Sequence, residues 1–349
     1  MSLTANLRKL SEIPGVSGDE RAVRKRIEDA IRDHVDEMRV DTLGNLLAVK
    51  KARGDRRRLR VMIDAHMDEV GFMIVGCSSD GGLKFRAVGS IEACILPGKV
   101  VWVGPDRIPG VIGVHPIHLA YKRINEVQPI DSLVIDIGAS SQEQAEGAAR
   151  SGTYASFATP VRSIGGGKAS GKAFDDRAGC AVLIELLCKP RLPVDILAAF
   201  TVQEEVGLRG ARAAAHALNP DAAFALDATP ANDLPMEEGE DRSPNTRLDD
   251  GPAVYVMTRG DVSDPRLVRH VLNVGEKRGI PHQIRQPGAG GTDAGAISKS
   301  RGGVPSVSIS TPCRYIHSPA SVLSLADLQN TVALVRESVA RLTPQALKR

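Results

Sequence analysis

Apolar and polar positions change their spacing along the chain, and this change divides it into three stretches. The first 40 residues show helical spacing, most clearly over residues 18–38. Strands are predicted next at about residues 43–50 and 59–65. From Gly71 to about Phe157 the pattern becomes one of short alternating segments separated by turn residues, which predicts a small, mainly β domain or barrel.

Beyond this stretch, apolar strands alternate with amphipathic helices, from a helix at residues 176–188 to a long C-terminal helix that begins at about Ser324. Such alternation predicts a largely parallel sheet covered by helices on both faces. The sequence therefore predicts an α/β fold. Its main domain comprises residues 1–70 and 158–349, and an inserted β domain comprises residues 71–157.

Composition narrows the range of partners. The chain has 349 residues, a net charge of +3 and only 3% aromatic residues, which argues against a nucleic-acid partner. One dense basic run, Lys50–Arg60, lies between two predicted strands, so we interpret it as a solvated hairpin turn rather than an anion site. No apolar run approaches the roughly 20 residues of a membrane span, so we expect no membrane partner.

The cysteines and the first residues bear on location. The five cysteines are scattered and odd in number, which favours free thiols in a reducing compartment. The opening "MSLTANLRKL" lacks the apolar core of a signal peptide. We therefore expect a cytoplasmic protein.

Residues that commonly bind metals follow the predicted strands at five places. A sheet of this class binds ligands at the carboxyl ends of its strands. Histidine together with carboxylate suits zinc, cobalt or manganese. Each residue alone also has a structural explanation, such as a helix cap for Asp176, but five such places in one sheet favour a metal site. The candidates are His66 and Asp68, Asp175 and Asp176, Glu204 and Glu205, Asp227, and His317.

The adjacent glutamates Glu204 and Glu205 raise a question of their own. Neighbouring side chains on a strand point to opposite faces, so the pair can share one site only if the chain turns there.

Six motifs in this order resemble the tetrahedral (TET) aminopeptidases: "AHMDEVG", "FDDRAG", "QEEVGLRGA", "LDAT", "GGTDAGAI" and "CRYIHSP". The resemblance covers nearly the whole chain. It implies a cytosolic exopeptidase that trims peptides with two divalent metal ions per subunit, zinc or cobalt. The α/β/α sandwich would be of the dinuclear zinc peptidase type. The inserted domain would be a PDZ-like dimerisation barrel, and dimers would assemble into a tetrahedral homo-dodecamer.

The resemblance also implies a role for individual residues. Asp175 would bridge two metals. His66 and Asp227 would complete one metal site, and Glu205 and His317 would complete the other. Asp68 would accept a hydrogen bond from the second N–H of His66, and Glu204 would be the general base.

Further expectations concern the backbone and two loops. The Asp175–Asp176 peptide bond would be cis. Thr292 and Asp293 would contact substrate or a neighbouring ligand. The long segment 228–252, acidic in its middle, would shape access to the site or an oligomer contact, unless it is only a solvated loop.

Three other functions stay open at this point. A deacylase or dipeptidase would use the same metals on another amide. An endoglucanase is disfavoured because glycosidases typically use two carboxylates without metal. A non-catalytic scaffold is disfavoured because all five candidate ligands and Glu204 are present.

Overall fold

A mixed sheet of eleven strands forms the larger part of the fold. The computed structural model describes residues 2–53, 58–113, 127–234, 246–286 and 290–348. The strands of this sheet are β1 (Glu37–Val40), β2 (Leu46–Lys50), β3 (Arg60–His66), β10 (Arg162–Ile164), β11 (Lys168–Gly171), β12 (Asp195–Thr201), β13 (Ala222–Pro230), β14 (Ala253–Tyr255), β15 (Gln283–Arg285), β16 (Ser306–Arg314) and β17 (Ser321–Ser324), with β4 to β9 given below.

The strand order is β1-β2-β12-β3-β13-β16-β17-β11-β10, and β14 lies between β15 and β16. At the centre, β12, β3, β13 and β16 run parallel. The strands that flank this centre, β2, β14 and β17, pair antiparallel with it. The sheet is therefore mixed, and the prediction of a largely parallel sheet holds only for its centre.

Helices cover both faces of the sheet. Their bounds are α1 (Leu3–Ser11), α2 (Arg21–Ile31), α4 (Phe174–Cys188), α5 (Arg209–Leu218), α6 (Pro265–Arg278), α7 (Ala294–Ile297) and α8 (Leu325–Ala340). A further helix, α3 (Gln142–Ala148), packs in the barrel core through Ala145. Short 3₁₀ turns lie at Arg32–His34, Ala93–Ile95, Ile130–Ser132 and Pro344–Leu347. None of the helices in the described ranges has the length and apolar character to cross a membrane.

Alternate residues of the central strands supply two hydrophobic cores, since successive side chains point to opposite faces. On β12, Ile196 and Phe200 pack in the core shared with α1, α2, α4, α6 and α8. Leu197 and Ala199 of the same strand pack with α5 and α7 on the other face. The predicted α/β/α sandwich is confirmed.

The six strands between Gly71 and Phe157 close into a barrel in the order β4-β5-β8-β7-β6-β9. At its centre the ring of Phe72 meets those of Phe85 and Phe157 edge to face, with centroids 5.0 and 5.3 Å apart. A β-barrel was expected here and is confirmed. Its strands are β4 (Gly71–Cys77), β5 (Leu83–Val88), β6 (Val100–Val103), β7 (Ile108–Gly113), β8 (Val134–Asp136) and β9 (Tyr154–Phe157).

Two local predictions are wrong. The helix predicted over residues 18–38 ends at Ile31, and β1 follows because its backbone pairs antiparallel with β2. The basic run Lys50–Arg60 is not a hairpin turn, since β2 and β3 do not pair. Both strands pair instead with β12, which lies between them. Residues 54–57 of the run lie outside the described ranges.

Candidate active site

The residues proposed from the sequence come together around the carboxyl edge of the parallel strands. His66 ends β3 and Asp68 follows it, Glu204 and Glu205 follow β12, Asp227 lies on β13, His317 follows β16, and Asp175 lies in the first turn of α4.

Two groups of three side chains share one aspartate. In the first group, Nε2 of His66 lies 3.1 Å from Oδ1 of Asp175 and 3.8 Å from Oδ1 of Asp227. In the second, Nε2 of His317 lies 3.3 Å from Oδ2 of Asp175 and 3.3 Å from Oε2 of Glu205. The candidate ligand atoms of each group all lie within 4.8 Å of one another. The two oxygens of Asp175 thus face different groups.

The backbone around Asp175 has an unusual conformation. Its peptide bond to Asp176 is cis, as the resemblance implies. The buried carboxylate of Asp176 accepts hydrogen bonds from the main-chain nitrogens of His66 (3.2 Å) and Gly179 (2.8 Å). A side chain at Gly179 would place its Cβ 2.4 Å from Asp176, so this helical position requires glycine. Asp176 thereby links the start of α4 to the end of β3.

Asp68 connects the loops that carry the two groups. Its Oδ1 lies 3.4 Å from Nδ1 of His66. The same carboxylate accepts hydrogen bonds from the hydroxyl of Ser17 (2.6 Å) and from the main-chain nitrogens of Glu204 (3.0 Å) and Glu205 (3.2 Å). No sequence signal pointed to Ser17, because it lies in a loop between α1 and α2, far from the motif that contains Asp68.

A turn at the end of β12 allows the adjacent glutamates to reach one cavity. Gln203 has a φ of 57°, in the left-handed region, and the main-chain nitrogen of Gly207 donates back to the carbonyl of Glu204 at 2.9 Å. Both Glu204 and Glu205 line the same cavity. The chain therefore turns where the sequence requires it.

Burial and crowding shift the acid–base behaviour of these carboxylates. Burial, with the neighbouring charge of Asp175, raises the pKa of Glu205 to about 8 and that of Asp227 to about 7. Burial also raises the pKa of Glu204 well above its usual range, although His66 acts in the opposite direction. Carboxylates this close together repel one another when they are ionised, and a positive charge among them would offset that repulsion.

The donor set fits divalent metal ions. Both groups combine imidazole nitrogen with carboxylate oxygen, as zinc and cobalt prefer. Oε1 of Glu205 is buried and has no hydrogen-bond partner among the described residues. A cation between the carboxylates would satisfy that oxygen and would offset both the burial and the repulsion by Asp175 that raise the pKa values of Glu205 and Asp227.

A cavity of about 400 Å³ opens beside the two groups. It is lined in part by residues that the sequence did not single out, among them Ser90, Tyr255 and Arg285. Ser90 belongs to the barrel. Neither Ser90 nor Arg285, which ends the three-residue strand Gln283–Arg285, carries a sequence signal for the site.

The glycine-rich stretch lies only partly at the surface of the cavity. Gly290 and Gly291 line the cavity, but Thr292 and Asp293 are buried and bonded within the protein. Asp293 accepts a hydrogen bond from Thr201 at 2.7 Å, and Thr292 shares one with Ser308 at 2.6 Å. These two side chains therefore bind other residues of the protein and do not face the cavity. Residues 235–245, the middle of the segment expected to shape access, lie outside the described ranges.

The α/β/α sandwich carries two carboxylate–histidine groups near the ends of its strands. This combination is typical of metal-dependent hydrolases. Comparison with protein families is more specific: residues 44–334 match the model of the M42 glutamyl aminopeptidases. The chain belongs to this family. It is an aminopeptidase, a hydrolase that acts on peptides.

Individual relatives agree over the whole length. The chain is 33% identical to the lysyl aminopeptidase of Pyrococcus furiosus, with 97% of each chain covered. An aminopeptidase structure from Desulfurococcus kamchatkensis superposes with a TM-score of 0.93 at 34% identity, covering 99% of this chain and 96% of that one. The TET1 peptidase of Pyrococcus horikoshii, which can assemble into a tetrahedron or a large octahedral shell, superposes with a TM-score of 0.86 at 35% identity, covering 98% and 100%.

Proposed function

We propose that this aminopeptidase removes N-terminal residues from peptides at a centre of two divalent metal ions, zinc or cobalt. His66 and Asp227 would hold one ion, Glu205 and His317 the other, and Asp175 both. The observation that carries the proposal is that the two oxygens of Asp175 face two separate histidine–carboxylate groups, at 3.1 and 3.3 Å.

Two divalent ions held by these residues would supply Lewis acidity, which lowers the pKa of a bound water and polarises a carbonyl. Glu204 lines the cavity without belonging to either group, so its carboxylate is the candidate general base. It takes the proton of the water on a carboxylate oxygen and delivers it to the nitrogen of the leaving amine. Burial raises the pKa of Glu204 above its usual range, which makes its carboxylate a stronger base toward the water proton.

Asp68 and Ser90 act on the histidines in this scheme. Asp68 faces Nδ1 of His66 and so keeps Nε2 as the ligand atom. On the other side, the main chain of Ser90 forms a hydrogen bond with His317. Both contacts orient an imidazole toward Asp175.

We further propose that residues 71–157 form a dimerisation domain and that dimers build a tetrahedral dodecamer in the cytoplasm. Two observations support this. Val100 and Val111 are paired across β6 and β7 on the barrel surface, yet they are 49% and 43% exposed. Such a pair would form part of the contiguous apolar surface that an interface between subunits requires. In addition, the P. horikoshii neighbour assembles into closed shells.

The proposal is tested with a panel of aminoacyl-p-nitroanilides, after removal of metal and after its restoration with zinc or cobalt. We expect cleavage to need metal and a free α-amino group, so an N-acetylated substrate is not cleaved. Glu204→Gln should lower kcat by at least about 100-fold, the typical contribution of a general base. Glu276→Gln, an exposed change on α6, is the matched control.

Metal content provides a second readout. Elemental analysis should find two equivalents per chain in the wild type and in Glu204→Gln, and fewer in His66→Ala or His317→Ala. One equivalent in the wild type, or undiminished turnover by Glu204→Gln, contradicts the mechanism. Release of acetate, rather than of p-nitroaniline, from the acetylated substrate would instead indicate a deacylase.

A further inference from the structure

The turn at the end of β12, which carries Glu204, is held by side chains from other parts of the chain. Four consecutive main-chain nitrogens, those of residues 202–205, each donate a hydrogen bond to a side-chain oxygen at 3.0–3.2 Å. The acceptors are Asn45 for Val202, Glu20 for Gln203, and Asp68 for both Glu204 and Glu205. Three segments that are distant from β12 in sequence therefore fix the backbone of this turn.

Gln203 is the residue of the turn whose conformation most needs support. Its φ of 57° lies in the left-handed region, which is unfavourable for a residue with a Cβ atom. Such a conformation persists only when the surrounding contacts enforce it. The torsion angles of Gln203 also set the direction in which the chain continues into Glu204. A contact to the main chain of Gln203 thus acts on the position of the candidate general base.

The carboxylate of Glu20 supplies that contact from a buried position. Glu20 is 4% exposed, and its Oε1 accepts hydrogen bonds from the main-chain nitrogens of Gly18 at 2.7 Å and Gln203 at 3.2 Å. Glu20 directly precedes α2, where polar side chains commonly cap a helix, yet it makes no capping hydrogen bond. The carboxylate instead joins the loop after α1 to the turn after β12.

Glu20 has no direct place in the chemistry of the site. It does not line the cavity, and it belongs to neither of the two histidine–carboxylate groups. We expect it to act through the backbone that it holds.

We propose that Glu20 is a positioning residue, which holds the main chain of Gln203 and so fixes the direction in which Glu204 enters the cavity. This inference rests on the proposed function, since it takes Glu204 as the general base. A general base must lie within hydrogen-bond reach of the proton that it takes. Displacement of a catalytic group by about 1 Å can lower turnover by about 100-fold.

A purely structural role for Glu20 makes a different prediction. If its carboxylate only stabilises the fold, its removal lowers stability and leaves the kcat of the folded protein unchanged. If it positions Glu204, its removal lowers kcat while KM and metal content stay near those of the wild type, because the cavity wall and the candidate ligands remain.

The experiment measures kcat and KM on the best p-nitroanilide substrate of the panel, together with metal content. Glu20→Ala removes the acceptor, whereas Glu20→Gln keeps an acceptor oxygen on a side chain of nearly the same shape. Glu12→Ala is the matched control. Oε1 of Glu12 accepts a hydrogen bond from the main-chain nitrogen of Val161 at 3.1 Å, so this change also cuts a link between distant segments, but not one to the turn.

We expect Glu20→Ala to lower kcat by about 10- to 100-fold and to leave KM within about threefold of wild type. Glu20→Gln and Glu12→Ala should keep kcat within about threefold of wild type. All three variants should keep the metal content of the wild type. Glu20→Asp, whose carboxylate lies one methylene group closer to the main chain, is the second variant if Glu20→Ala does not fold, and it should also lower kcat.

Amide hydrogen exchange, measured by mass spectrometry on peptide fragments, makes the test independent of turnover. An N–H group that loses its acceptor exchanges faster. The fragment that contains residues 202–205 should therefore exchange faster in Glu20→Ala than in the wild type, and at the wild-type rate in Glu20→Gln.

Several results would overturn the inference. They are wild-type kcat in Glu20→Ala, or in Glu20→Asp if the alanine variant does not fold, and an equal loss of kcat in Glu20→Ala and Glu12→Ala. A Glu20→Gln protein as slow as Glu20→Ala also overturns it, because the acceptor oxygen is then not what matters. Absence of hydrolysis of every substrate by the wild type counts against the proposed function, whereas unchanged exchange in Glu20→Ala counts against the role of Glu20 alone.

Discussion

Replacement of Arg177 by methionine should destabilise the protein more than any surface substitution. Arg177 is fully buried on α4, and its guanidinium donates to four main-chain carbonyls. The acceptors are those of Met67 (2.8 Å), Ile13 (2.9 Å), Gly15 (3.3 Å) and Leu10. The side chain therefore joins the loop after α1 to the segment between His66 and Asp68.

The expected loss follows from these contacts. Methionine fills a similar volume but leaves buried carbonyl oxygens without donors, and it leaves Glu69, 3.4 Å from the guanidinium, with one cation fewer. Removal of one partner from a buried charged network costs about 3–5 kcal/mol. Since whole domains are stable by only about 5–15 kcal/mol, the variant should be near its folding limit.

Urea unfolding at one protein concentration measures this loss, because assembly shifts apparent stability. We expect a lower midpoint for Arg177→Met both with and without metal. Arg336→Met is the matched control, since within the described part of the chain Arg336 donates to one carbonyl near the surface, that of Pro190. Its free energy of unfolding should change by about 0.5 kcal/mol or less. An Arg177→Met protein within about 1 kcal/mol of wild type refutes the reasoning.

Two further predictions concern the barrel and the surface. Phe72→Ala removes a fully buried ring that packs against Phe85 and Phe157. The free energy of unfolding, measured in urea, should therefore fall by about 3–5 kcal/mol. A loss below about 1 kcal/mol would show that the barrel core collapses around the gap. The ion pair with Arg191 lowers the pKa of Asp36 to about 2, below its value of 3.8 in an unfolded chain. The ion pair therefore stabilises the folded protein above pH 4, and this stabilisation is lost as the pH falls toward 2. Asp36→Asn should therefore lower the melting temperature slightly at pH 6, by an effect of about 0.2–1 kcal/mol, and the difference from wild type should shrink at pH 3; a constant difference would contradict this.

The sequence predicted the candidate site better than the edges of the sheet. His66, Asp227 and His317 follow or lie on long apolar strands, and such strands form a parallel centre whose ends are known to bind ligands. Strands β1, β10, β11 and β17 were missed, because each is short and is set by an antiparallel partner rather than by its own pattern. Propensity cannot reveal a pairing between residues as distant as Lys168 and Ser324.

Side chains that touch the site from distant segments were also missed. Ser17, Ser90 and Arg285 reach it from a loop, from the barrel and from a three-residue strand. Their neighbours in sequence show no ligand motif, so only the tertiary fold places them beside the carboxylates.

The position of Ser90 limits how far this enzyme can be treated as modular. Its main chain bonds to His317 and its residue lines the cavity, although it belongs to the barrel. A shortened chain that joins Val70 directly to Ala158 would lose a contact to an imidazole that faces Asp175. A chimaera that exchanges the barrel for that of a relative would exchange part of the catalytic wall with it. A substitution in the loop that contains Ser90 would therefore change the barrel and the wall of the candidate site together.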